Sequence, residues 1–484
     1  MNVSIVAVGP AAPARRVAVA DIAAGWGESA GRGHVAVCDG DEDALTLAWT
    51  AARRALAAAD LDGDDVDGLW WGTAHPPFLQ GPNLAYLAAA LGMREGIEGA
   101  LLAGARTSGM EALFVAWDAV AAGSVDRALV VASDVANAGL GTADERQVGA
   151  GAVALVLRLG DDGPAVLTRR SSLTRPHLDR YRGPGDAAVR EAYDGRLHRE
   201  EVFLPALKAL GGALAAGGEV PADGLRWSLP DPDGRLGRLL GKALGAGEVA
   251  SAGVRTALGD AGAAAGLLGL AACLDAPGEV VALDQGSGRA VGVAVSVRSA
   301  VPGAADVAAL GDGLRDTTYA EVLRARGRLV ADTDPIDMAV PPGGAGFVRG
   351  NVELLGLHGA ACADCGTIST PPSVHPTCIG CGGDNLAEVG LERTGTIHTF
   401  VVNATMPAPF EAPLPLLVVD LDDGARLMVQ GTAATVGLGI GDRVELVLRR
   451  YAVERGASIY GHKAAPPSTV VLDRVADAKT GAHP

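Results

Sequence analysis

Four of the six cysteines stand as two Cys-x-x-Cys pairs, Cys362–Cys365 and Cys378–Cys381, with 12 residues between the pairs. Each pair supplies two thiolates from one turn, and two such turns complete the tetrahedral sulfur set that zinc prefers. Gly366, Gly380 and Gly382 flank the turns, where the chain must reverse sharply. Four cysteines leave no open coordination position, so the expected zinc is structural and the small module around it should need its metal to fold. Cys38 and Cys273 stand apart and read as small core residues. A second stretch with chemical potential is Ala105-Arg106-Thr107-Ser108-Gly109-Met110-Glu111-Ala112-Leu113, a polar loop that opens a helix running to Gly123. A loop between a strand and a helix start is where amide dipoles favour negative charge. A third is Gln285-Gly286-Ser287-Gly288 at the end of an apolar strand.

The elements that must position these residues alternate strand and helix. Val3–Gly9, Val66–Thr73, Arg127–Ala132 and Gly149–Leu157 read as buried strands, and Asp41–Ala59 and Asn83–Leu91 as helices. A second pass follows. It has a strand ending before Pro230, a helix over Gly234–Leu244, and a loop at Gly259-Asp260-Ala261-Gly262 feeding an Ala/Leu/Gly helix. Strands at Glu279–Leu283 and up to Val297 close it. Near-continuous apolar strands imply a largely parallel sheet covered on both faces. Residues 331–347 read as a linker carrying Pro335, Pro341 and Pro342. Beyond the cysteines, strands at Gly395–Val402, Leu414–Leu421, Arg426–Gly431 and Asp442–Leu448 suggest a small β-barrel.

Composition narrows the function. With 484 residues, 49% hydrophobic and 20% charged, the chain suits two or three globular domains. A net charge of −17 argues against an extended nucleic-acid surface, and the barrel shows no aromatic-basic interleaving. A local basic mouth for a phosphate-bearing ligand remains open. No apolar run has membrane-spanning length and no leader signal precedes Asn2, so no membrane partner and a cytoplasmic location are expected.

In order along residues 1–330, the DEDALTLA helix, the GTAHPP loop, the ARTSGMEAL loop, GAGAVALVL, Tyr193-Asp194-Gly195-Arg196, LLGLAACLDAPGEVVALDQGSG and the Tyr319–Gly327 segment resemble the thiolase superfamily. The likeness is to hydroxymethylglutaryl-CoA synthases and ketoacyl synthase III enzymes. It implies an α/β, duplicated, five-layered thiolase-like fold over 1–330, then the linker, a zinc ribbon over 348–390 and an OB-fold domain over 391–484. A ribbon plus barrel of this kind resembles the acyl-CoA-associated accessory proteins that partner thiolases. The resemblance also implies a ligand, acyl-CoA or acyl-carrier protein, and a homodimer.

Carried over residue by residue, the family pattern meets departures at every expected catalytic position. The nucleophilic cysteine falls on Arg106, the histidine of a His-x-Pro loop on Ser228 before Leu229-Pro230, and the asparagine on Asp260. The acidic residue of the first-half loop falls on Ala74 or His75. His75 and the Gly286-Ser287-Gly288 turn are the implied substrate contacts. A guanidinium stays protonated near neutral pH and has no usable lone pair, so cysteine-type condensation is not expected. Arg106 either clamps an anionic ligand or pairs with Asp260. Ser108 would need a base; His75 could supply one, and Asp260 could serve as base in aldol-type chemistry. Three readings follow. The first is a non-condensing acyl-thioester-binding protein supporting a thiolase-like partner. The second is a diverged acyltransferase or carbon–carbon lyase using Arg106, Ser108, Ser228 and Asp260. The third is a zinc-ribbon scaffold that binds no acyl group.

Overall fold

The computed structural model describes residues 1–29, 31–192, 194–218, 220–330, 350, 353–406, 412–454 and 456–467. The expected linker at 331–347 and Tyr193 lie outside these. The chain divides into two compact units, one of residues 1–79 and 93–329, the other of 80–92 and 330–484.

The first unit is built on a ten-stranded sheet. Its strands in chain order are β1 (Val3–Ala11), β2 (Gly68–Thr73), β3 (Glu98–Ala103), β4 (Arg127–Asp134) and β5 (Gly151–Leu159). Then come β6 (Ala165–Thr174), β7 (Arg226–Ser228), β8 (Glu248–Val249), β9 (Gly278–Gly286) and β10 (Arg289–Val297). Their spatial order is β8-β7-β9-β10-β6-β1-β5-β4-β2-β3. Counted from its own first strand, each half runs third, second, fourth, fifth, first. The pairing senses also repeat: third, second and fourth are parallel, and the remaining neighbours are antiparallel. The duplication that the sequence carries only as a coarse echo is thus explicit in the topology, and the halves meet where β1 pairs with β6. The expectation of a largely parallel sheet is corrected. β4–β5, β5–β1, β9–β10, β10–β6 and β6–β1 are antiparallel. Apolar strands report burial on two faces, which helices enforce here whatever the strand direction.

Five layers follow from what the helices cover. Helix α1 (Ala44–Ala58) packs on β1, β4 and β5. Its start is set by Asp43, whose carboxylate accepts the N–H groups of Leu45 (3.0 Å) and Thr46 (3.1 Å), while Thr46 Oγ1 accepts from Asp43 N–H at 2.9 Å. On the opposite face lie α3 (Ser108–Ala122) and α6 (Ala265–Ala272). Met110, Leu113 and Val120 of α3 share one core with Leu267, Leu268 and Leu270 of α6 and with strands of both halves. Helices α4 (Leu204–Ala216) and α5 (Leu236–Leu244) close the far side, burying Leu207, Leu210 and Leu240 against Trp227 and Leu283.

The second unit holds α2 (Asn83–Ala90), a three-stranded sheet and a five-stranded one. The segment 80–92, expected with the first domain, belongs here; the rings of Tyr86 and Tyr460 meet edge to face at 6.1 Å. The small sheet is β11 (His358–Cys362), β12 (Ile368–Ser369) and β13 (Leu386–Gly390), ordered β12-β11-β13. The larger is β14 (Thr394–Asn403), β15 (Leu414–Leu421), β16 (Arg426–Gln430), β17 (Arg443–Glu454) and β18 (Ala457–Ala465), ordered β16-β15-β14-β17-β18. A bridge between Gly431 and Ala464 draws its two edges together, as a small barrel requires. Strand β18 is an addition to the four expected; ASIYGHKAA lacks the apolar alternation that marks the others. Among the described residues no helix is long and apolar enough to cross a membrane.

Candidate functional site

The ends of β2, β3, β4 and β9 and the loop before α6 converge on Arg106. Gly104 N–H donates to the Thr73 carbonyl at 3.2 Å, tying the β2 and β3 ends together. A side chain at Gly72 would stand 2.3 Å from the Ser108 carbonyl, and one at Gly109 would stand 2.3 Å from the Ala263 carbonyl. Glycine is needed at both positions because these backbones touch. The Asp260 loop is held from below: Asp260 N–H donates to the Gln147 carbonyl at 2.7 Å, and Gly149 N–H to the Asp260 carbonyl at 2.9 Å.

Within this frame both terminal nitrogens of Arg106 are engaged, while its Nε is buried with no hydrogen-bond partner. One terminal nitrogen donates to Asp260 Oδ1 at 2.8 Å; the other reaches Asp284 and also the Gln285 carbonyl at 3.1 Å. The second oxygen of Asp260 accepts from Arg180 at 2.7 Å, and Arg180 in turn binds Asp144 at 2.6 Å. Of the two outcomes open to Arg106, the structure contains the pairing with Asp260. Burial alone would raise the Asp260 carboxyl; the Arg106 and Arg180 charges outweigh it and hold Asp260 well below the usual carboxylate range. Burial opposes the charge on Arg106 too, and Asp260 with Asp284 reverses that, raising its pKa. For Asp284 burial wins: despite Arg106, it is pushed up to about 6. Asp284 Oδ2 and Gln285 Oε1 are buried with no hydrogen-bond partner.

The other residues singled out from sequence are placed as follows. Ser108 is 1% exposed and its Oγ accepts from Ala105 N–H at 3.2 Å. Ser228 is equally buried at the end of β7, where a side chain on Gly269 would come within 2.1 Å of its Oγ. Among the described residues no hydrogen bond joins either hydroxyl to a histidine. A serine without a base is a poor nucleophile. Gly286, at φ +151°, backs onto Arg106: a side chain there would sit 2.8 Å from Arg106 Cβ. Ser287 is left-handed at φ +54° and its N–H donates to Asp179. Gly288 borders a small cleft of about 20 Å³ with Leu173, His177, Phe203, Ala206 and Ala290. His75 pairs with Asp134, Nδ1 to Oδ1 at 2.6 Å. Cys273 is buried in the core, as expected, and burial pushes its thiol up to about 12. Arg180, Asp144, Asp284 and Asp134 are site residues that sequence reasoning missed. Only Asp284 carried a signal, being next to the Gln285–Gly288 turn.

In the second unit the four sulfurs of Cys362, Cys365, Cys378 and Cys381 all lie within 4.8 Å of one another and could hold a metal ion. The Sγ–Sγ separations of Cys362–Cys381 and Cys365–Cys378 are 3.7 and 3.5 Å. A tetrahedron with Zn–S of ~2.3 Å has edges of roughly 3.8 Å, so the donors fit a tetrathiolate site. Both turns are left-handed at their closing glycine, Gly366 (φ +74°) and Gly382 (φ +77°). Gly380 is not, but its N–H donates to Cys378 Sγ at 3.3 Å.

Residues 388–449 match the family model described as "ChsH2, C-terminal OB-fold domain". A hydroxymethylglutaryl-CoA synthase of Pyrococcus furiosus is 32% identical over 157 residues, covering 32% of this chain and 45% of the relative. One of Methanosarcina barkeri is 27% identical over 286 residues, covering 57% and 81%. The chain spans about half the length of the first curated relatives it matches. Among solved structures, "MvaS in complex with 3-hydroxy-3-methylglutaryl coenzyme A" is similar with a TM-score of 0.57 and 25% identity, over 71% of this chain and 95% of that one. Sequence and fold together show that the first unit is similar to hydroxymethylglutaryl-CoA synthases and has a thiolase-like fold, and that the chain carries a C-terminal OB-fold domain of the ChsH2 type.

Proposed function

We propose that the chain binds acyl thioesters, of CoA or of an acyl-carrier protein, and forms no covalent acyl-enzyme at position 106. The observation that carries this reading is the engagement of the Arg106 guanidinium by Asp260, Asp284 and the Gln285 carbonyl. A guanidinium so paired neither attacks a thioester nor swings out to admit another nucleophile without leaving the buried Asp284 without its cation. The ligand class is supported by the likeness to synthases, one of them with 3-hydroxy-3-methylglutaryl coenzyme A in its printed description. Acyl-thioester binding with this loop occupied suits a subunit that supports acyl transfer or carbon–carbon chemistry, either as a homodimer or beside a thiolase-like partner. The cysteine cluster is read as a structural zinc site, because four thiolates leave the metal no position for substrate.

The test is calorimetry with acetyl-CoA followed by intact-mass measurement after incubation. Saturable heat with no added acyl mass is the expected result. A stable acyl adduct on the chain would sink the reading.

A second reading, a diverged enzyme that works by proton transfer without a covalent intermediate, is favoured by one observation, the His75–Asp134 pair.

A further inference from the structure

His75 and Asp134 stand outside the arginine–aspartate network. Asp134 is 1% exposed. Its Oδ1 accepts from Val135 N–H at 2.9 Å and its Oδ2 from Ala263 N–H at 2.8 Å. A side chain at Gly262 would come within 2.3 Å of Oδ2, so the carboxylate has a tight, fixed seat. Against that seat rests His75 Nδ1, at 2.6 Å from Oδ1. A carboxylate on Nδ1 keeps the proton of a neutral imidazole on that nitrogen and leaves Nε2 as the acceptor. The two ring nitrogens diverge, so Nε2 faces away from Asp134. The His75 side chain is 14% exposed, shielded without being sealed. Its segment is docked to the Arg106 loop through the Gly104–Thr73 bond and the Gly72–Ser108 contact, and His75 N–H donates to Thr73 Oγ1 at 3.2 Å.

An oriented imidazole near a loop that carries Arg106 in place of a thiol can do one thing well, which is to move protons. We propose that His75 exchanges a proton with the α-carbon of a bound acyl thioester, with Asp134 as its positioning residue. The inference rests on the acyl-thioester reading above. In the step, the Nε2 lone pair takes the α-proton. The C–H electron pair becomes the carbon–carbon π bond of an enolate, and the carbonyl π pair moves onto the thioester oxygen. Asp134 stabilises the imidazolium. Return of the proton to the α-carbon restores the thioester, so nothing is consumed and no co-reactant is needed.

The test uses the full chain in D2O with acetyl-CoA, following loss of the α-proton signal by NMR, with calorimetry in parallel. The wild type is expected to exchange the methyl protons. His75→Ala should slow exchange by about 100-fold or more, the size of a general-base contribution, and added imidazole should restore part of it. His75→Gln, which keeps a hydrogen-bonding side chain next to Asp134, should bind acetyl-CoA normally and exchange as slowly. Asp134→Asn should lower the exchange rate at saturation while leaving affinity unchanged, a split that a merely structural role would not give. Binding without exchange in the wild type, or exchange unchanged in both His75 variants, overturns the inference. Failure of the wild type to bind both acetyl-CoA and an acetylated acyl-carrier protein overturns the acyl-thioester reading itself.

Discussion

Replacing Arg106 by methionine keeps most of the side-chain volume and deletes the charge, and the structure sets the size of the effect. The buried cluster holds two guanidiniums, Arg106 and Arg180, and three carboxylates, Asp144, Asp260 and Asp284. Asp260 keeps Arg180 when Arg106 is lost, whereas Asp284 loses its cation. Breaking a buried pair by removing one partner costs about 3–5 kcal/mol. The cost should depend on pH. Asp284 has a carboxyl at 3.8 when unperturbed and about 6 in the folded chain. Its stability contribution is therefore full below pH 3.8 and lost as pH rises through 6. Without Arg106 the folded value climbs further, so the loss continues above that point and Arg106→Met is more destabilising near pH 8 than near pH 5. All six tryptophans lie in the first unit, so urea unfolding followed by tryptophan fluorescence reports on it alone. Arg106→Met/Asp284→Asn should regain much of the lost stability. A single variant that unfolds within ~1 kcal/mol of wild type at pH 8 would refute the idea of an interlocked charge cluster.

Three further outcomes are expected. Cys365→Ser/Cys381→Ser should lose bound zinc by atomic absorption and unfold the ribbon, while tryptophan fluorescence of the first unit stays unchanged. Gly286→Ala would place a methyl 2.8 Å from Arg106 Cβ at a φ of +151°; it should cost about 1–3 kcal/mol in urea melts, and a loss below ~0.3 kcal/mol would contradict the close approach. Asp43→Ala removes the acceptor of two N–H groups at the start of α1 and should cost about 1 kcal/mol; circular-dichroism melts matching wild type would show that the cap does not hold that helix.

Local pattern was enough to find most strands and helices, the two cysteine turns and the Arg106 loop. These are encoded by neighbours in the chain: apolar runs for strands, Asp43 before a helical stripe, Cys-x-x-Cys with glycine. Order along the chain also carried the duplicated fold, since the motifs appear in the sequence that the layers demand. Strand direction was not legible, because a helix-covered antiparallel strand is as apolar as a parallel one. Nor, apart from Asp260, were the members of the charge cluster around the arginine. Asp144 and Arg180 lie in stretches with no motif, and Asp284, although next to the Gln285–Gly288 turn, is 178 residues from Arg106. Their roles come from the meeting of the β9 end, the loop before α6 and the Arg180 segment around one guanidinium. The same holds for His75: its residue type was visible, but its orientation depends on an aspartate at the end of β4 that only chain folding brings within 2.6 Å. Residue types and local periodicity are written along one dimension; the pairing of buried charges depends on distances in three, and burial makes those pairings decisive.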